Sequence, residues 1–144
     1  MVLDIGCGSH SHTLVEGLSR SRRLAEGEID LRVSNWEKVV ALSIGTYEFI
    51  LPSENVLSLD NCYYVPALSR NIISISCLDK CGFLFSIKNN SCSIYRDDLF
   101  YGISYGTCGL YVLDLQTLIF KINIRKLKLQ NQILLTCGTV VLAI

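Results

Sequence analysis

Residues 38–65, KVVALSIGTYEFILPSENVLSLDNCYYV, decide the fold class. Two runs rich in β-branched and aromatic residues, 38–51 and 56–65, flank the turn-forming sequence Pro52-Ser53-Glu54-Asn55. Apolar runs of this length, bounded by turn residues, are typical of β-strands. Gly45 lies inside the first run, where a glycine often marks a bulge. The stretch therefore predicts two strands joined by a turn.

The same pattern continues on both sides of this stretch. Short apolar segments separated by polar turns follow at 83–87, 91–95, 99–104 and 110–113. Upstream, residues 1–4 and 28–33 predict two more strands, whereas 13–18 have weak helical character. Residues 71–80 are expected to become helical near their end, with Gly82 just after the helix. Many strands with one short helix predict an all-β barrel or sandwich.

Composition excludes several classes of protein. The 144 residues hold thirteen Lys plus Arg and thirteen Asp plus Glu, so the net charge is zero and no nucleic-acid partner is expected. No apolar run approaches the ~20 residues of a membrane-spanning helix, so no membrane partner is expected either. The amino terminus, MVLDIGCGSH, lacks the basic start of a signal peptide. Seven cysteines, an odd number, then favour reduced thiols and an intracellular, cytoplasmic location.

Asp4 is the residue that suggests a chemistry. It follows a short apolar segment and precedes Ile5-Gly6, and an Asp-x-Gly turn is how pepsin-like enzymes present a carboxylate. Two such carboxylates share one proton because like charges at close range cannot both ionise. One then acts as general base on water while the other donates to the substrate carbonyl. The tripeptide alone is common at the ends of ordinary strands.

Five sequence blocks in a fixed order indicate that the Asp-x-Gly tripeptide belongs to a family motif. They are LDIGCGSH at 3–10, VALSIGTYEFIL at 40–51, CYYVPALSRNIISISCLDKCGF at 62–83, SCSIY at 91–95 and GLYVLD at 109–114. Together they closely resemble the protease region of copia-type LTR-retrotransposon Pol polyproteins. One tripeptide match is frequent by chance, but five ordered blocks are specific.

The resemblance implies a retropepsin-like fold, which is all-β: a small closed β-barrel with one short helix, at residues 1–82. Residues 83–115 would form a β meander leading into a pre-integrase segment. Such an enzyme works as a homodimer on a polypeptide substrate, and each chain supplies one aspartate, here Asp4. Gly6 would permit the catalytic loop to form, and no metal or other cofactor is expected. The substrate-binding flap would comprise Ser34, Asn35 and Trp36.

Two departures from the family pattern argue against activity. Ile5 replaces the Ser or Thr whose hydroxyl ties the two catalytic loops together, and its side chain cannot hydrogen-bond. Trp36 stands where the flap usually has a glycine that allows positive φ. We therefore interpret the chain as a degenerate, inactive Pol fragment. An active homodimeric aspartic endopeptidase and a non-catalytic β-barrel interaction domain remain as alternatives.

Residues 116–144 are interpreted as a tail and not as a domain. Residues 133–144, ILLTCGTVVLAI, are almost wholly apolar and carry no charge. They can be back-translated with codons that, read one nucleotide earlier from a CAA codon for Gln132, encode NPTYLWHCRFGH. This is the motif that opens the pre-integrase segment in copia-type elements. The tail is therefore interpreted as out-of-frame translation.

Other residue clusters are given structural interpretations. His10 and His12, with Cys7 nearby, are separated by a single residue in a turn-like stretch, a spacing that rarely brings two histidines to one zinc ion. Cys77 and Cys81 are not followed by a second pair of ligands. No metal site is therefore predicted. Arginines are expected in a solvated loop at positions 20, 22 and 23. Tyrosines are expected to pack the barrel at positions 63, 64, 95, 101 and 111.

Overall fold

The computed structural model describes residues 1–33, 36–113 and 115. The predicted flap residues Ser34 and Asn35, and the predicted tail at 116–144, lie outside these described residues. The described chain is all-β with one short helix, α1 (Ile75–Lys80). In this part of the chain, no helix combines the length and the apolar character required to cross a bilayer.

Twelve strands make up the β structure of the described residues. The first six are β1 (Val2–Asp4), β2 (Ser11–His12), β3 (Ser19–Arg23), β4 (Asp30–Arg32), β5 (Lys38–Val40) and β6 (Ser43–Ile50). The other six are β7 (Val56–Tyr64), β8 (Ile72–Ser74), β9 (Leu84–Lys88), β10 (Ser91–Arg96), β11 (Leu99–Thr107) and β12 (Leu110–Val112). Ten of them form one sheet in the order β3-β6-β7-β2-β8-β1-β12-β11-β10-β9, and β4 and β5 form a separate hairpin.

The sheet wraps around one apolar core. Buried side chains from β6 and β7 meet buried side chains from β10 in a single cluster, although these strands are far apart in the sheet order. The turn after β6 also reaches β11, where Asn55 Nδ2 donates to the Phe100 carbonyl at 2.8 Å. Among the described strands, β3 and β9 end the sheet without pairing to each other, so closure into a barrel stays a prediction.

Strand β1 lies near the centre of this sheet. It pairs in parallel with β8, where Asp4 is opposite Ser74, and antiparallel with β12, where Leu3 is opposite Tyr111. The meander β9–β12 therefore hydrogen-bonds to the amino-terminal strand. Whether residues 83–115 form a unit separate from 1–82 stays a prediction.

Turn chemistry explains why the elements end where they do. Gly82, at φ +84°, follows α1, and the Gly82 and Phe83 amides donate to the carbonyls of Asp79 and Leu78. This is the Schellman ending that the glycine predicts. Asn89 and Asn90 join β9 to β10 with positive φ at both positions, as a two-residue hairpin requires. The β6–β7 pairing shifts register between Gly45 and Tyr47, which confirms the predicted bulge.

Three local predictions are wrong. Residues 13–18 are not helical; Thr13 instead donates to Asn71 Oδ1 from both its amide and its hydroxyl, each at 2.8 Å. The arginines at 20, 22 and 23 lie on the exposed edge strand β3 and not in a loop. The long run 38–51 divides into β5 and β6 at Ala41 and Leu42, because Leu42 bonds to Leu24 and Tyr64 while β5 pairs only with β4.

Candidate active site

Asp4 ends the central strand β1 and begins a tight loop. Its Oδ1 accepts a hydrogen bond from the Gly6 amide at 2.7 Å, so the loop backbone orients the carboxylate. A Cβ at Gly6 would lie 3.4 Å from the same oxygen, in van der Waals contact with it. Glycine therefore suits a position where backbone and carboxylate approach each other closely.

Two serines at the start of α1 hydrogen-bond to the backbone of this loop. Ser74 Oγ donates to the Cys7 carbonyl at 2.6 Å, and Ser76 Oγ lies 3.3 Å from the carbonyls of both Ile5 and Cys7. Ser74 Oγ also accepts the Cys77 amide and so caps the helix. One buried hydroxyl thus fixes the loop and the helix start together.

This arrangement predicts unequal effects for two serines of the same segment. We expect Ser74→Ala to lower the free energy of unfolding by about 2 kcal/mol, because it removes a cap and deprives the partly buried Cys7 carbonyl of its shortest hydrogen bond. Ser76→Ala, whose bonds are longer and more exposed, is the matched control and should cost less than about 0.5 kcal/mol. Urea denaturation of both variants tests the difference; equal midpoints would contradict the anchoring role of Ser74.

Ile5 projects away from the fold. The residue, which directly follows Asp4 in the sequence, is 80% exposed. The backbone carbonyl of Ile5 accepts a hydrogen bond from Ser76 Oγ. An apolar side chain at such a loop tip contributes little to the stability of the single chain.

A cleft of about 650 Å³ opens beside Asp4. Its lining includes Gly6 and Cys7 of the Asp4 loop, together with Val2 of β1 and Ile72 of β8. The hairpin β4–β5 and Trp36, between its two strands, also line the cleft. The structure therefore brings the predicted catalytic residue and one predicted flap residue to the same cavity.

Trp36 has an uncommon backbone conformation. Its φ is +65°, in the left-handed region that bulky residues rarely adopt. The Trp36 amide donates to the Val33 carbonyl at 2.8 Å, and the Arg32 guanidinium lies 6.0 Å from the indole centroid. Trp36 as a whole residue is 76% exposed. The tip thus demands the positive φ that a glycine supplies at no cost.

Two histidines just beyond the Asp4 loop are buried, which was not predicted from the sequence. His10 Nδ1 accepts the Ser74 amide at 3.0 Å, and burial lowers the pKa of His10 to about 4. His12 stacks on Tyr47 with ring centroids 4.3 Å apart, and burial lowers its pKa as well. Both rings are neutral parts of the core. No three His, Cys, Asp or Glu side chains come together as a metal site anywhere in the described ranges.

Burial of His10 makes the fold sensitive to acid. An unfolded histidine titrates near pH 6.5, whereas folded His10 stays neutral until about pH 4. The free energy of unfolding therefore has its full value, as far as His10 is concerned, above pH 6.5. It falls by about 3 kcal/mol as the pH drops toward 4, because the unfolded chain then binds a proton that folded His10 does not. We expect His10→Asn, whose amide oxygen can accept the Ser74 amide, to flatten the dependence between pH 7 and 5. Urea midpoints measured across this range test it; an unchanged slope would contradict the assignment.

The comparisons with known proteins identify one family. Residues 1–83, more than half of the chain, match the family Pol polyprotein, beta-barrel domain. No curated protein and no solved structure matches the chain. The matched residues include the Asp4 loop, the hairpin β4–β5, and α1 with its cap Ser74. The chain therefore belongs to the Pol polyprotein beta-barrel domain family.

Proposed function

We propose that this Pol polyprotein fragment is of the copia type and carries a degenerate, inactive aspartic protease domain of the retropepsin kind. The observation that carries the proposal is the position of Asp4. Its carboxylate ends the central strand and is oriented by the Gly6 amide, and Asp4 lines the same cleft as the hairpin β4–β5. A closed barrel, the boundary after residue 82 and the pre-integrase segment belong to the same proposal.

A second copy of the chain is required for chemistry. Of the described residues that line the cleft, Asp4 alone has a carboxyl group, whereas water activation needs a pair that shares one proton. A homodimer with a two-fold axis near the loop supplies that pair. The exposed Ile5 side chain, beside Asp4 in the loop, then meets its equivalent in the partner and leaves water.

In such a dimer the residues have separate tasks. The Gly6 amide holds Oδ1 of each Asp4, and Oδ2 remains for the shared proton and the attacking water. The ionised carboxyl group accepts a proton from water, while the other, which carries the shared proton, donates it to the carbonyl oxygen of the peptide. Trp36 and the hairpin cover the peptide from the opposite side of the cleft.

Ile5 is the residue that impairs this machinery. A Ser or Thr hydroxyl would bond across the dimer and hold both loops in register, and an isoleucine side chain neither donates nor accepts. Loss of precise positioning of reacting groups lowers rates steeply. The unmodified chain is therefore expected to dimerise without measurable cleavage.

One observation favours an active enzyme as the second candidate. The carbonyls of Ile5 and Cys7 are already held by Ser74 and Ser76 within each chain. If these intrachain bonds alone fix the loops, the unmodified chain cleaves peptides without a hydroxyl at position 5.

Restoring the hydroxyl separates these functions. We expect Ile5→Thr to gain cleavage of a peptide library at acid pH, sensitive to pepstatin, while the unmodified chain stays inactive. Cleavage by the unmodified chain would favour the active enzyme. A dimer of Ile5→Thr, seen by sedimentation, that cleaves nothing would favour the non-catalytic interaction domain. A monomer at all concentrations would contradict all homodimeric versions.

A further inference from the structure

We propose, on the basis of the proposed function, that the cleft selects peptides with an acidic side chain close to the peptide bond at Asp4. Two arginines line the cleft from different elements. Arg32 belongs to β4 in the hairpin, and Arg70 precedes β8 on the side of the catalytic strand. A peptide bound in this cleft therefore lies beside both arginines and Asp4.

Arg70 is available for a ligand. It is exposed, and within residues 1–33, 36–113 and 115 it forms no ion pair. The Arg32 guanidinium lies by the Trp36 ring, while the nearby Asp30 pairs with Lys38 at 2.8 Å. In this part of the chain neither arginine forms an ion pair, and the pKa of Asp30 is lowered mainly by Lys38 and to a smaller extent by Arg32.

The charge of the cleft differs from that of the whole protein. Its described lining residues hold two guanidinium groups and the single carboxylate of Asp4, whereas the full sequence has no net charge. Guanidinium groups bind carboxylates through paired, charge-assisted hydrogen bonds. A local excess of positive charge in a peptide-sized cleft favours an acidic side chain. A peptide is favoured over an extended polyanion because the full sequence has no net charge, whereas proteins that bind nucleic-acid backbones usually carry a basic excess.

Trp36 provides the means of measurement because it is the only tryptophan in the chain and lines the cleft. Three peptides identical except for Glu, Gln or Lys at one position are titrated against the unmodified protein while its fluorescence is recorded. We expect the Glu peptide to bind about fivefold more tightly than the Gln peptide, and the Lys peptide most weakly. The preference should shrink in about 0.5 M NaCl, because exposed charges are screened.

Arginine variants assign the preference to the cleft. Arg70→Gln should remove most of the Glu-over-Gln preference, and Arg32→Gln should reduce it. Arg23→Gln, on the exposed strand β3 outside the cleft, is the control and should leave the preference unchanged. Circular dichroism of each variant confirms that the fold is retained.

The outcomes distinguish this inference from the proposed function. Equal binding of all three peptides, or a preference that survives in Arg70→Gln, would overturn the inference. Tighter binding of a single-stranded oligonucleotide than of the Glu peptide would overturn it as well. Acid-selective binding in an Ile5→Thr protein that cleaves nothing would uphold the inference and reject the catalytic part of the proposed function. Cleavage by Ile5→Thr without acid preference would do the reverse.

Discussion

Asp4→Asn is expected to abolish the peptide cleavage that Ile5→Thr gains, with a rate loss of at least about 10³-fold. Asparagine keeps the shape of the side chain and an oxygen that can accept the Gly6 amide, so the loop should be preserved. It cannot share or transfer the carboxyl proton, which is the step that activates water. Initial rates for one labelled peptide, compared between Ile5→Thr and the double variant, measure the effect.

The control for this comparison is Asp98→Asn in the same Ile5→Thr background. Asp98 lies in the turn between β10 and β11, outside the cleft, at a positive φ that asparagine also tolerates. Its loss should leave the rate within about twofold of the parent. Equal losses in the two variants would mean that Asp4 has no special role.

Ile73→Ala is expected to lower the free energy of unfolding by about 3–4 kcal/mol. Ile73 is fully buried on β8, opposite Leu3 of β1, and belongs to the central core cluster. Truncation there leaves a cavity directly beside the strand that positions Asp4. A loss of this size is a large part of the stability of an ordinary domain. Urea denaturation measures it as a lower midpoint with an unchanged slope.

Ile87→Ala is the matched control for the core. The substitution removes the same atoms from an isoleucine, but Ile87, on β9, is 62% exposed. Its truncation should cost less than about 1 kcal/mol. Similar losses at both isoleucines would show that Ile73 is not part of a tightly packed centre.

Much of the fold follows from local sequence signals. The alternating and β-branched runs mark the strands, and Pro52-Ser53-Glu54-Asn55 marks the turn between β6 and β7. Gly82 and the asparagine pair at 89–90 mark the points where φ must be positive. These signals are readable because each depends on the residue itself and its neighbours in the chain.

Other features depend on contacts that are distant in sequence. Strand β3 has the sequence SRSRR with every residue exposed, so it carries no apolar alternation and exists through its pairing with β6. The break at Ala41 and Leu42 contains no glycine or proline, and it reflects the passage from one sheet to another. The order of the ten strands in the sheet also cannot be predicted from local sequence patterns, because it depends on pairings between distant segments.

The candidate site was predictable only in part. The Asp-x-Gly motif and the ordered blocks identified Asp4 and its loop, and family resemblance pointed to Trp36. The anchoring by Ser74 and the burial of His10 were missed, because polar residues near a turn usually indicate solvent exposure. Their roles emerge only once β8 and α1 pack under the loop.

Mixing two variants tests most directly whether each chain supplies one half of a catalytic pair. Ile5→Thr chains are combined with chains that carry both Ile5→Thr and Asp4→Asn, at constant total concentration and with time for subunit exchange. At equal amounts, two-chain catalysis predicts about one quarter of the activity of Ile5→Thr alone, because only dimers with two intact carboxylates cleave. If the activity is one half, in proportion to the amount of chain with an intact Asp4, a single Asp4 suffices and the account is contradicted. Absence of cleavage at every mixing ratio would contradict it as well.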